Sequence, residues 1–458
     1  MQRDLSARRI IGFACNQAFV FFALFVNAAG ANSPFLGDAI AARFSLLCVL
    51  LFMVVGFGLV RGMSPGRYAR LFSRPLLYLY AVLAGAGLLL PVMLPGGGIT
   101  TAIVQAAMVG LTVALLLTAW GRSFGNVPTE VSVPEVFVGS LVGALICLAF
   151  SLAAGSYAAL AAVCLLPLAS VVNIEIGGGP AVVVAPPEGG EAEVVSAKVI
   201  AGTALFGVAA GLVLWFRGNV SGELHTHYQV AIVLFGAFLI GGLSLLLSDG
   251  FGRGAALNKS YRLAVFCMMA GVLVVPWPLL AGTPLAGETV VFAGFLGLEV
   301  VLISLFLVLA EITSTDCGKS FSTGFLALFA GEFVGALVAV FLTASSSDVV
   351  LFDVPVMLAG VVILLSYIFF FTERDFDELS QLVTESDSIE RAQGEIVERY
   401  GLSNRESEIL SFALRGRTSE RIAQELVISK STVDTHLRRI YAKCGVHSRQ
   451  ELLDLIDE

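Results

Sequence analysis

The chain has 458 residues, of which 57% are hydrophobic and 14% charged, with a formal net charge of −8. So apolar a composition lies outside the range of soluble globular proteins and excludes a soluble enzyme or a free DNA-binding protein over most of the length. Seven cysteines (Cys15, Cys48, Cys147, Cys164, Cys267, Cys317 and Cys444) have no regular spacing and no CxxC, which argues against a disulfide framework and a zinc site.

Apolar windows of about 20 residues, the length a bilayer core requires of a helix, predict twelve spans. They fall near residues 10–30, 41–60, 76–96, 99–119, 136–155, 157–175, 199–216, 228–248, 263–282, 287–311, 322–343 and 352–372. The first follows Arg3, Arg8 and Arg9 and is too long for the core of a cleavable signal, so it is read as an uncleaved span. Basic residues recur after every second span: Arg61, Arg67, Arg70 and Arg74, then Arg122, Lys198, the group Arg253, Lys259 and Arg262, and Lys319. The opposite loops hold Arg217. Short basic loops stay in the cytoplasm, so a multi-pass protein with both termini cytoplasmic is expected.

Residues 176–198, rich in Gly, Pro and Glu, read as a flexible connector between halves at about 10–175 and 199–372. The loops "RGMSPGRYAR" and "SDGFGRGAALNKSYR" occupy matching places in the two halves and each mix Gly with basic residues. This six-plus-six plan resembles the major facilitator transporters. The resemblance implies an all-α fold of two six-helix halves and says nothing of transport.

Polar side chains within apolar spans are costly and mark candidate sites. Asn16 and Gln17 in the first span, Gln105 in the fourth, Glu299 in the tenth and Glu332 in the eleventh form the candidate ligand or proton site. The competing role is interhelical hydrogen bonding for the amides and a satisfied structural carboxyl for the glutamates.

After Phe371 the composition turns acidic. Residues 373–400 carry Glu373, Asp375, Asp377, Glu378, Glu385, Asp387, Glu390, Glu395 and Glu398 against Arg374, Arg391 and Arg399. Apolar positions at helical spacing make this an acidic helical linker, either a solvated spacer or a short helix pair joining two tails.

From residue 401 the pattern sharpens into four short helices. Ser403 and Glu406 form a capping box, Gly416 ends the first helix, and a second covers about Ser419 to Leu426. A third starts at the Ser429 cap and stops at Gly445, and Ser448 with Glu451 opens a fourth. The run "LSNRESEIL", followed by "GRTSERIAQELVISKSTVDTHLRRIYAKCGVHSRQEL", resembles the LuxR-type helix-turn-helix, an output domain of bacterial response regulators and quorum-sensing receptors. Cys444 departs from the leucine usual there and should affect packing more than function.

The resemblance implies base contacts at Asp434, Thr435 and Arg438 and backbone contacts near Lys430, Thr432 and Lys443, with Arg439 in the same basic stretch. Asp434 has two readings: an acceptor for a cytosine amino group, or a local partner of Arg438 four residues on. The expectation is a one-component transcriptional regulator of a bacterial inner membrane. Its partners would be promoter DNA, membrane lipid and an unknown small-molecule or membrane signal, with a homodimer on DNA. A major-facilitator-like transporter with a regulatory tail is the alternative, and proteolytic release of the tail a third. There is no P-loop, HExxH or histidine-kinase motif, so no catalytic residue, cofactor or metal is expected.

Overall fold

The computed structural model describes residues 5–26, 39–94, 98–152, 157–175, 191–214, 224–248, 253–275, 287–313, 315–344, 353–369, 392–414, 416–426 and 428–454. Among them there are helices and no strand. The apolar part runs α1 (Ala7–Phe21, continued by a π-helical turn Phe22–Val26), α2 (Ala39–Arg61), α3 (Pro65–Leu71), α4 (Arg74–Met93), α5 (Gly98–Phe124), α6 (Thr129–Leu152) and α7 (Tyr157–Asn173). It continues with α8 (Glu191–Leu214), α9 (Leu224–Leu247), α10 (Arg253–Val274), α11 (Gly287–Ile312), α12 (Cys317–Ala344) and α13 (Asp353–Phe369). A helix over 392–400, here α14, precedes α15 (Asn404–Leu414), α16 (Ser419–Glu425), α17 (Lys430–Cys444) and α18 (Arg449–Asp454).

Each of the twelve expected spans corresponds to a helix, and α3 is an additional short one in the loop after the second. By length and composition nine of the described helices can cross a membrane: α2, α4, α5, α6, α8, α9, α10, α11 and α12. The described parts of α1, α7 and α13 are shorter. Two boundaries differ from expectation. The connector ends earlier, because 191–198 already belong to α8, while 176–190 lie outside the described residues. The polar stretch "RGAALNKSYR" is not a loop but the first turns of α10; Arg262 Nε donates to Asn258 Oδ1 at 3.1 Å, and Ser260 and Tyr261 are buried against neighbours.

Helix pairing repeats with an offset of six spans. α1 packs on α6 and α7, α5 on α2 and α4, and α4 on α7. In the same way α8 packs on α12 and α13, α11 on α9 and α10, and α10 on α13. The two sets meet through α2 against α12 and α6 against α9, positions that the same offset exchanges. The tightest seam, α8 with α12, is made by Gly207 and Gly211 on one helix and Gly331 and Gly335 on the other. A Cβ at Gly207 would overlap the Leu328 carbonyl oxygen, and one at Gly331 would overlap that of Ala204. In lipid, where apolar burial gives no net drive between helices, such backbone approach is what holds a pair together.

α14 to α18 enclose a second core of Ile396, Leu402, Ile409, Leu410, Phe412, Ile422, Val433, Leu437, Ile440, Cys444 and Leu452. Residues 392–400, expected to end a linker, are thus the first helix of this domain, with Ile396 in its core and Gln393 Nε2 donating to Ser407 O at 3.0 Å. The acidic stretch over 370–391 lies outside the described residues.

Candidate functional sites: a DNA-reading helix and a polar cavity

The third helix of the tail, α17, is fixed at both ends by its own sequence. Ser429 Oγ accepts from Thr432 N at 3.1 Å, and Gly445 closes the helix in the left-handed region at φ 71°. Val433, Leu437, Ile440 and Cys444 face the core. Their spacing turns Ser431, Thr432, Thr435, Arg438 and Arg439 outward, and all five are exposed. Cys444 fills its buried position as an apolar residue.

The seven residues expected at DNA divide into three groups. Arg438 and Arg439 are exposed and carry no ion pair among the described residues. Thr432 and Thr435 are exposed, but their hydroxyls are used locally, toward Ser429 Oγ at 2.8 Å and the Ser431 carbonyl at 2.8 Å. The lysines are tied down: Lys430 Nζ lies 2.7 Å from Glu420 Oε1 on α16, and Lys443 Nζ lies 2.7 Å from Glu406 Oε2 and 3.2 Å from Gly401 O. Asp434 is half-buried at the edge of the face and forms no ion pair with Arg438. It stands within Coulomb range of Glu420, Lys430 and Tyr441 instead.

Lys443 therefore acts inside the domain. Glu406 opens α15, its Oε2 accepting from Ser403 N and Ser403 Oγ, both at 2.8 Å, as well as from Lys443. The Lys443 ammonium and then the Ser403 amide hold this carboxyl at about 2, below its ordinary 4.5. A depressed carboxylate stabilises the fold above about pH 4.5, and that contribution is lost as the pH falls toward 2. Glu406→Gln is expected to cost about 1–2 kcal/mol at neutral pH and to flatten the acid dependence over that window. Hydrogen exchange of the 392–454 amides in the full-length protein measures both, and unchanged protection would refute the role. Arg449 is also internal, with Nη2 donating to the carbonyls of Ala413 and Arg417.

In the membrane module, the five expected polar residues do not converge. Asn16, Gln105 and Glu332 are each about 1% exposed, with Asn16 Nδ2, Gln105 Nε2 and Glu332 Oε1 lacking hydrogen-bond partners among the described residues. Gln17 and Glu299 do come together. They line a cavity between α1, α6, α9 and α11, with Phe21, Ser140 and Phe235, of about 470 Å³ including its open mouth. Ser140 was not expected; a lone serine in an apolar helix carries no signal before the helices are assembled. Glu332 sits in the glycine seam of α8 and α12, within Coulomb range of Glu299.

Two further clusters at one end of the bundle are built by residues distant in sequence. Arg9 grips Glu135 with two bonds, Nε to Oε2 at 2.7 Å and Nη2 to Oε1 at 2.9 Å, and reaches Glu175 at 3.0 Å. Across the two sets of helices, the Tyr68 hydroxyl of α3 donates to Asp316 before α12, under the Arg122 guanidinium 4.8 Å from the Tyr68 ring. Burial and the Asp316 charge raise the Tyr68 phenol well above its usual range, which keeps it a donor. Thr129 Oγ1 donates to Glu311 across the same divide.

Residues 401–456 match the model of the luxR family of bacterial regulatory proteins. The C-terminal domain is a LuxR-type helix-turn-helix. It is similar to the uncharacterized response regulatory protein YgeK of Escherichia coli K12, 40% identical over 84 residues, or 18% of this chain and 57% of YgeK. It is similar also to the Fimbriae Z proteins of E. coli K12, 45% identical over 53 residues, and of Salmonella typhimurium, 40% identical, each match covering 12% of this chain and 25% of the relative. The chain thus spans just over half of YgeK and a quarter of the Fimbriae Z proteins.

The membrane module shares its fold with a bacterial homologue of the iron transporter ferroportin in an outward-facing state. The TM-score is 0.51 at 15% identity, over 82% of this chain and 98% of that one. The same homologue with soaked iron gives 0.52 at 16% identity, over 81% and 97%. The E. coli fucose:proton symporter FucP, a Major Facilitator Superfamily transporter, is looser at 0.49 and 14% identity, over 78% and 98%. The module has the fold of that ferroportin homologue, and the protein is a multi-pass membrane protein with a LuxR-type tail.

Proposed function

We propose that the protein is a membrane-bound one-component transcriptional regulator. The membrane module perceives a small-molecule or membrane signal, and the LuxR-type domain, in the cytoplasm with both chain termini, binds promoter DNA as a dimer while the chain stays in the inner membrane. The observation that carries this reading is the LuxR-type domain itself, with two arginines, Arg438 and Arg439, that have no ion pair among the described residues on the exposed face of α17, in one chain with a multi-pass module. With Lys430 and Lys443 neutralised by Glu420 and Glu406, one copy has little charge to offer phosphate, and two copies on half-sites about one helical turn apart would supply the rest. The signal would act by changing how the two sets of six helices pack, and so how two tails pair.

Genome-wide mapping of DNA cross-linked to tagged full-length protein tests this reading. Discrete enriched sites that disappear in the double variant Arg438→Ala, Arg439→Ala support it, and no enrichment over that variant overturns it. A transporter with a regulatory tail is the second reading, favoured by the cavity between the two sets of helices. It predicts substrate flux in proteoliposomes that survives removal of everything after residue 372.

A further inference from the structure

We propose that the cavity between α1, α6, α9 and α11 binds a small organic cation with an apolar body, its charge met by Glu299. This rests on the reading of the membrane module as a sensor and names the chemistry of what it senses.

The charge inventory of the cavity is one-sided. Glu299 is the ionisable carboxyl in its wall, and no basic side chain among the described residues pairs with it or with Glu332, whose charge it feels. Elsewhere the protein does pair its buried acids: Glu135, at the end of the bundle, is fully buried and gripped by Arg9. An ionised carboxylate in an apolar bundle is costly without a partner, and a cationic ligand supplies one. A buried carboxyl without a partner is held neutral by its surroundings, and a cationic ligand is the one that favours its ionised form, whereas an anionic ligand would meet two carboxyls.

The rest of the wall fits the other parts of such a molecule. Ser140 is 2% exposed and its Oγ has no hydrogen-bond partner among the described residues, although it lines the space. An unpaired buried hydroxyl is a standing cost that a ligand N–H can remove. Gln17 adds a carbonyl acceptor from α1, and the rings of Phe21 and Phe235 offer apolar surface and electron-rich faces to an ammonium carbon frame. Because its walls come from both sets of six helices, an occupant bridges them.

Benzylamine, benzyl alcohol and benzoate share a shape and differ in charge. Their binding to purified full-length protein in nanodiscs, by calorimetry and thermal shift, tests the inference. Benzylamine is expected to bind at least about tenfold more tightly than benzyl alcohol, and benzoate not at all. Glu299→Gln should remove the preference for the amine, and Ser140→Ala should weaken amine binding by about threefold to tenfold. Equal binding of alcohol and amine, tighter binding of benzoate, or no amine binding at millimolar concentration overturns it. The charge series on the unaltered protein stands even if a variant does not fold. Amine binding without a change in promoter occupancy would uphold the cation site and count against the sensor reading, whereas occupancy without amine binding would do the reverse.

Discussion

Arg438→Ala is expected to weaken binding to the cognate DNA site by about 10- to 100-fold, the value of one good bidentate contact to a guanine edge. Arg438 is exposed on α17, has no partner among the described residues, and lies one turn from Thr435 on the outward face. Substituting such a residue leaves the fold within about 0.5 kcal/mol, so the loss reports recognition and not stability. Fluorescence anisotropy of full-length protein in nanodiscs with a site taken from the genome-wide map measures it, and wild-type affinity in the variant would exclude Arg438 as a reader. Asp434 supplies the contrast. It does not pair with Arg438, so its replacement does not free that arginine. If Asp434 reads a base, Asp434→Ala relaxes the sequence bound at one position. If it holds non-specific binding down, the variant gains affinity for every DNA alike, with a steeper salt dependence.

Glu135→Ala should destabilise the membrane module. The substitution strands the Arg9 guanidinium, which loses two of its three charged contacts, and also strands the Ser6 amide, which donates to Glu135 Oε1 at 2.7 Å. Removing one partner of a buried pair costs about 3–5 kcal/mol when the other charge is left uncompensated, and the exposed Glu175 that stays on Arg9 brings the loss below that range. Arg9→Lys should recover part of this, since an ammonium keeps the charge but cannot form the fork. The melting temperature of the purified protein orders the variants: wild type, then Arg9→Lys, then Glu135→Ala. A Glu135→Ala protein that melts with the wild type would show that the cluster contributes nothing to stability.

The LuxR-type domain was legible almost entirely from local sequence. Caps lie three residues from the groups they bond, and the core spacing of Val433, Leu437 and Ile440 follows from helix geometry. What was not legible there is which lysines are available. Lys430 meets Glu420 ten residues away and Lys443 meets Glu406 thirty-seven away, and only the folded helices bring those charges together. Residues 392–400 looked like spacer because their acids dominate the composition, while Ile396, the residue that docks them, is one apolar position among many.

Taken alone, the sequence of this protein determined that it crosses a membrane on many apolar helices and that a LuxR-type domain follows them. Those properties depend on windows of a few to about 20 residues, within which hydropathy, helix period and capping act. Tertiary structure alone decided which buried polar groups share a site. It set Gln17, Ser140 and Glu299 around one cavity, left Asn16, Gln105 and Glu332 outside it, and joined Arg9 to Glu135 across 126 residues. Each of these groupings depends on which face of a helix meets which neighbour. In a helix that is apolar all round, no periodicity records that choice, and glycine seams such as the one between α8 and α12 make it only when the chains have packed.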